Sequence, residues 1–182
     1  MARVPYAARI DLPADKKHIY DRIASTRGSV PRVFQALMNS PEAAEAVAGV
    51  GEYLRYKCPL DAVIRETAIL SVAREMNNQY EWSQHEPVAR KAGVREEVIE
   101  AIRSGKAPMG LPAKEGVFVQ AARELVRTGV VSDRTFQAVH HLLGTRLTVD
   151  LVVTIGYYSM VARCIKALDV ELDDGLKPGL PI

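Results

Sequence analysis

Glu66, Glu81 and His85 are the residues whose types and spacing could move protons. They fall in the stretch ETAILSVAREMNNQYEWSQH, residues 66–85. Glu81 and His85 stand at i and i+4, so one helix presents both on the same face. In a single straight helix Glu66 would lie about 28 Å from His85. Asn77 and Asn78 interrupt the helical pattern, however, so two antiparallel helices are expected, and Glu66 can then approach the other two. Tyr80 adds a phenol to this catalytic set, and Asn78 and Trp82 are the candidates for substrate contact. Burial raises the pKa of a carboxyl group, and a second carboxylate raises it further. Imidazole already titrates near neutrality. Such a set suits proton transfer to and from a carbon acid without a cofactor.

Structural roles compete for the same residues. Asn78 and Glu81 have the spacing of a capping box. Glu81 and His85 could form a surface pair, Trp82 could anchor a core or an interface, and Tyr80 could simply pack. Glu66 could pair with Arg65 or Arg74 on a solvated face. Pro87 removes one helical hydrogen bond near Ser83. A metal site built from Glu66, Glu81 and His85 is a further alternative, although no metal is expected. His140 and His141 are adjacent and point to different helix faces. His18 sits among lysines. No phosphate loop, zinc spacing or nucleophile elbow is present.

The elements that must position these residues are helices. The pattern predicts amphipathic pieces over residues 15–25 and 31–38. A helix over 41–56 is expected to turn Ala43, Val47, Val50 and Leu54 to one side. Asp61 is placed to cap a helix running to about Met76. Helices follow from the Asn77–Asn78 break to Gly93 and over 95–104, closed by Gly105. Residues 107–112 read as a loop, 113–128 as a helix stopped by Gly129, and 133–143 as a helix capped by Ser132 and ended by Gly144. A long helix is expected over about 147–168, with an irregular tail after it. Lys91-Ala-Gly-Val and Ala167-Leu-Asp-Val end two helices in the same way. A decayed duplication would put Tyr157 and Val161 where the first copy has Glu81 and His85.

The chain has 182 residues with 48% hydrophobic and 25% charged side chains, a composition that supports a packed globular core. It reads as a single all-α domain over residues 1–182, with the site segment at 60–93. A net charge of +2 without a long basic run argues against a nucleic-acid partner. Cys58 and Cys164 are far apart and are expected as reduced thiols in a cytoplasmic protein. The first residues lack the apolar stretch of a signal peptide. The apolar segment 147–168 contains Asp150, Arg163 and Lys166, so it is expected as a buried core helix and not a membrane span.

Residues 60–93 resemble the carboxymuconolactone decarboxylase and alkylhydroperoxidase D-like family. The peroxidase branch of that family carries a glutamate, then Cys-x-x-Cys, then a histidine four residues on. Glu66 matches the glutamate and His85 the histidine. Asn78 and Glu81 stand at the two cysteine positions, and Tyr80 stands where that branch often has a second histidine. The phrase YEWSQHEPVARKAG is similar to cysteine-free members, and residues 30–34, 51–56 and 155–163 resemble flanking parts of longer ones. The resemblance implies an alkylhydroperoxidase D-like helical fold, a homo-oligomer of three or six chains, and a setting in the breakdown of aromatic compounds. Without the thiol pair, the expected activity is a cofactor-independent lyase, decarboxylase or isomerase acting on a small oxygenated carboxylic acid or lactone. The alternatives are a redox protein using other thiols, and a non-catalytic scaffold that binds small molecules.

Overall fold

The computed structural model describes residues 1–108 and 110–181. Among these, helices account for the architecture, and no strand longer than an isolated bridge residue at Leu111 is present. The protein is all-α, as the helical periodicity predicts. The chain divides into two compact units, Met1–Cys58 with Arg163–Gly175, and Pro59–Ala162 with Leu176–Ile182.

The first unit contains α1 (Lys17–Arg27), α2 (Arg32–Leu37) and α3 (Pro41–Glu52), which runs into a π-helical turn, Tyr53–Lys57. Ala44, Ala48, Gly51 and Leu54 form the buried stripe of this segment. The stripe expected on Ala43, Val47 and Val50 is therefore displaced: Ala43 is exposed, and Val50 is 42% exposed. The small residues Ala44, Ala48 and Gly51 face inward where α1 and α2 pack against α3. The returning chain is tied back by Arg3 N–H to the Leu168 carbonyl (2.8 Å) and by Arg32 N–H to Asp173 Oδ1 (2.8 Å).

The second unit is built around α4 (Ala62–Glu75), with α5 (Gln79–Ala92), α6 (Glu96–Arg103) and α7 (Ala113–Thr128) packed on it. Asp61 caps α4, its side chain accepting from the amides of Val63 and Ile64. Residues Glu66 to Ala73 of α4 are all buried, so this helix has no solvated side. The core joins Leu70 and Ala73 to Trp82, Ala89, Val98, Ile99, Ile102, Val119 and Leu180.

The last helix, α8 (Asp133–Leu168), is broken at Gly144, where φ is 69° and ψ 174°. The two arms predicted on either side of that glycine are thus separate helical segments with a kink between them. Its apolar part is long enough to cross a membrane, but half of that window is buried. Leu151 and Ile155 are among its fully buried residues, whereas Val149, Val152, Val153, Gly156 and Met160 remain exposed. The expectation of a wholly buried helix is corrected to a helix with one covered and one open apolar face.

The tail is irregular but docked. Gln79 Oε1 accepts from the amides of Gly179 and Leu180 (both 3.0 Å), and its Nε2 donates to the Leu180 carbonyl (2.8 Å). Ser83 Oγ donates to the Lys177 carbonyl (2.7 Å). A side chain at Gly179 would meet Trp82 Cδ1 at 2.7 Å, so only glycine lets the tail lie this close to α5.

Candidate active site

The reversal between α4 and α5 brings the acid and base candidates together. Asn77 adopts φ 47°, a left-handed conformation that asparagine tolerates. Asn78 then caps α5, its Oδ1 accepting from the Glu81 amide at 3.0 Å. The capping box does not close, because Asn78 N–H donates to the Ala73 carbonyl (2.8 Å) and the Glu81 carboxylate extends toward His85. The Asn78 amide group also donates to the Ala162 carbonyl at 3.2 Å. Both ends of this side chain are engaged in the fold, so its substrate-contact role is replaced by one of holding the turn.

His85 lies between two carboxylates. Its Nδ1 is 2.8 Å from Glu66 Oε2, and its Nε2 is 3.7 Å from Glu81 Oε2. The three residues are only 2–5% exposed. The short contact is a hydrogen bond. An ionised Glu66 can only accept, so it holds the proton on Nδ1 and leaves Nε2 as the exchanging nitrogen. Glu66 Oε1 also receives Arg65 Nε at 3.3 Å. Arg74 takes no part, since its Nε donates to the Arg103 carbonyl (2.7 Å). The Tyr158 ring meets His85 edge-on, with centroids 5.0 Å apart, and Tyr157 meets Tyr158 in the same manner at 5.1 Å.

Burial works to raise the Glu66 pKa, but the charge of His85, its hydrogen bond and then Arg65 outweigh it and hold the carboxyl below its ordinary 4.5. The expectation that burial keeps this group protonated near neutrality is overturned for Glu66. Glu66 is thereby placed as an anion against the Nδ1 side of the His85 ring. A carboxyl with a depressed native pKa stabilises the fold at pH above its unfolded value, and that contribution is lost as pH falls through the native pKa. The stability difference between wild type and Glu66→Gln should therefore be full above about pH 5 and shrink as pH is lowered from there. Urea midpoints measured across the acid range would check this; a difference that grows toward low pH would contradict it.

The other candidates separate. Tyr80 is buried one residue before Glu81, about 100° round the helix axis from it. Trp82 is fully buried in the core and its indole N–H donates to Glu86 Oε2 at 2.8 Å; it is a core residue and not a substrate platform. Among the described residues, no group of three or more His, Cys, Asp or Glu is arranged to hold a metal ion. His140 stacks on Phe136 and contacts Thr145. Sequence reasoning missed Tyr158. The internal repetition pointed to its neighbours in the register, Tyr157 and Val161.

The helical fold is alkylhydroperoxidase D-like. The model of the carboxymuconolactone decarboxylase family matches residues 41–124, a span that includes every residue of the acid/base cluster. Among solved structures, a peroxidase-related protein with an alkylhydroperoxidase core from Ralstonia eutropha JMP134 shares the fold at a TM-score of 0.78. It is 18% identical, and the alignment covers 95% of this chain and 93% of the other. A peroxidase-related protein from Silicibacter sp. TM1040 aligns with a TM-score of 0.76, 18% identity and coverage of 94% and 90%. The debrominase Bmp8, solved as a variant with 2,3,4-tribromopyrrole, aligns with a TM-score of 0.76, 13% identity and coverage of 94% and 91%. Among curated proteins, none matches the chain.

Proposed function

We propose that the protein is a cofactor-independent acid/base enzyme, a lyase, decarboxylase or isomerase acting on a small oxygenated carboxylic acid or lactone. The observation that carries this reading is the 2.8 Å bond from His85 Nδ1 to the buried Glu66, which leaves Nε2 beside Glu81. In this reading Nε2 removes a proton from a carbon next to a carbonyl. The resulting imidazolium is stabilised by Glu66, and Glu81 or the same imidazolium returns a proton at another position. Tyr158 limits the rotation of the His85 ring, and Tyr80 is retained as a proton-donating candidate. A panel of small carboxylic acids and lactones should contain compounds that raise the melting temperature. Those compounds should exchange an α-hydrogen for deuterium in heavy water at a rate dependent on enzyme concentration. Binding without exchange would favour a non-catalytic scaffold.

Thiol chemistry is not part of this proposal. Asn78 and Glu81 stand where the peroxidase branch has its cysteines, and Cys58 and Cys164 are partly buried and not joined in a disulfide. The double variant Cys58→Ser, Cys164→Ser should keep its exchange activity within about twofold, because general acid/base catalysis draws on neither sulfur. Selective loss of turnover in the folded double variant would instead support a redox mechanism.

Assembly into a homo-oligomer of three or six chains is part of the same proposal. Trp82, Tyr157 and Tyr158 are buried within the chain and offer no surface for association. The open face of α8, with Val149, Val152, Val153 and Met160 each about two-fifths exposed or more, is the apolar surface that association would cover. Light scattering at micromolar concentration should give a multiple of the 20.0 kDa chain, and Val153→Asp should reduce it. A monomer mass for the wild type would refute the assembly.

A further inference from the structure

The face of α5 turned away from the acid/base cluster is gripped by the end of the chain. Gln79, Trp82, Ser83 and Glu86 stand at i, i+3, i+4 and i+7, so they share one side of the helix. All four meet the tail. Gln79 reads it in both directions, accepting from the Gly179 and Leu180 amides and donating to the Leu180 carbonyl. Ser83 Oγ donates to the Lys177 carbonyl at 2.7 Å. Leu180 is buried in the core that holds Trp82. The Gly179 backbone closes on the other two, since a Cβ there would lie 2.7 Å from Trp82 Cδ1 and 2.8 Å from Glu86 Oε2. Glu81 and His85 point about 160° and about 120° away from Gln79 round the same axis.

This grip falls where α5 is weakest. Pro87 lies inside the helix and has no N–H to donate to the Ser83 carbonyl. The turn that lacks this bond, residues 83–87, carries His85. A helix missing a ladder bond bends more readily at that point. The Ser83–Lys177 bond ties the first residue of that turn to the tail, and Gln79 fixes the turn before it. Glu66 belongs to α4, so any shift of α5 moves His85 against it. Their 2.8 Å contact is lost within a displacement of about 1 Å.

We propose that residues 177–180 are a positioning strap: by gripping Gln79 and Ser83 they hold His85 on Glu66 in the geometry that proton transfer uses. Gln79, Ser83 and Gly179 are then positioning residues that act through His85 and touch no substrate. The catalytic consequence rests on the acid/base reading, whereas the hold on the His85–Glu66 bond does not.

The test compares the full-length chain with Gly179→Ala and Gln79→Ala. Gly179 does not have a left-handed φ, so alanine there acts through its collision with Trp82 and Glu86. Trp82 is the only tryptophan, and its emission should shift to the red in Gly179→Ala as water reaches the ring. Nitrogen-15 NMR of the imidazoles, with His85 assigned from His85→Ala, should show the neutral wild-type ring with its proton on Nδ1. In both variants the two tautomers should average. Their kcat should fall about tenfold or more with KM near the wild-type value, the pattern of a misplaced reacting group. The double variant should be little worse than either single one, because both break the same contact. Unshifted Trp82 emission in Gly179→Ala would overturn the strap. So would a wild-type His85 signal and kcat in a variant whose emission has shifted. A wild-type chain without exchange activity, whose His85 signal is nevertheless lost in both variants, would support the strap while overturning the acid/base reading.

Discussion

Glu66→Gln should fold and lose most of the turnover, by roughly a hundredfold to ten-thousandfold, the usual cost of disabling a general acid or base. The amide has almost the same shape as the carboxylate, and its oxygen can still accept from His85 Nδ1. It cannot supply the negative charge that stabilises a protonated ring, and its NH₂ group, if turned toward Nδ1, enforces the wrong tautomer. His85→Ala should cost at least as much, since it removes the exchanging nitrogen itself. The two losses should not add, because Glu66 acts through His85. Deuterium exchange into a hit compound gives the rate, and circular dichroism with urea midpoints gives the fold. If a folded Glu66→Gln enzyme keeps more than about a tenth of the wild-type rate, the buried anion is not part of the chemistry.

The same contact illustrates what the sequence could and could not disclose. That Glu66 and His85 would meet followed from one local feature, the Asn77–Asn78 break, because a reversal of short length forces the flanking helices into contact. The limits of α7, Ala113–Thr128, were equally legible, since Pro112 and Gly129 mark both ends. The face of α3 was not. Hydrophobicity favours turning Val47 and Val50 inward, but the face toward α1 and α2 buries Ala44, Ala48 and Gly51. The docking of the tail was also hidden. It depends on Gln79 reading the backbone of Gly179 and Leu180, and a side chain bound to distant main chain leaves no periodic trace. The direction of the Glu66 pKa depended on whether its partners would outweigh burial. The spacing put His85 within reach, but only coordinates show the 2.8 Å bond with Arg65 on the other oxygen.

Trp82→Ala should be the most destabilising substitution in α5, by roughly 3–5 kcal/mol, the range for removing a buried tryptophan or phenylalanine. The ring is fully buried, in one core with Leu70, Ala73, Ala89, Val94 and Ile99. Arg103 lies over it at 5.5 Å, and the Gly179 backbone closes on its edge. Alanine would leave a cavity that α4, buried from Glu66 to Ala73, cannot collapse to fill. The indole N–H contributes less. Glu86 would keep Arg90 and Arg103 as partners, so Trp82→Phe should cost only about 1–2 kcal/mol from the smaller ring and the lost hydrogen bond. At about 2–4 °C per kcal/mol for a chain of this size, the two variants should differ clearly in melting temperature. The substrate-platform role predicts the opposite pattern. Under it, Trp82→Phe would leave stability almost unchanged and raise KM, because the ring would be packing against a ligand instead of against Leu70 and Leu180. Denaturation midpoints for both variants, set beside their KM values, decide between the two, and the core assignment fails if Trp82→Ala melts within a degree or two of the wild type.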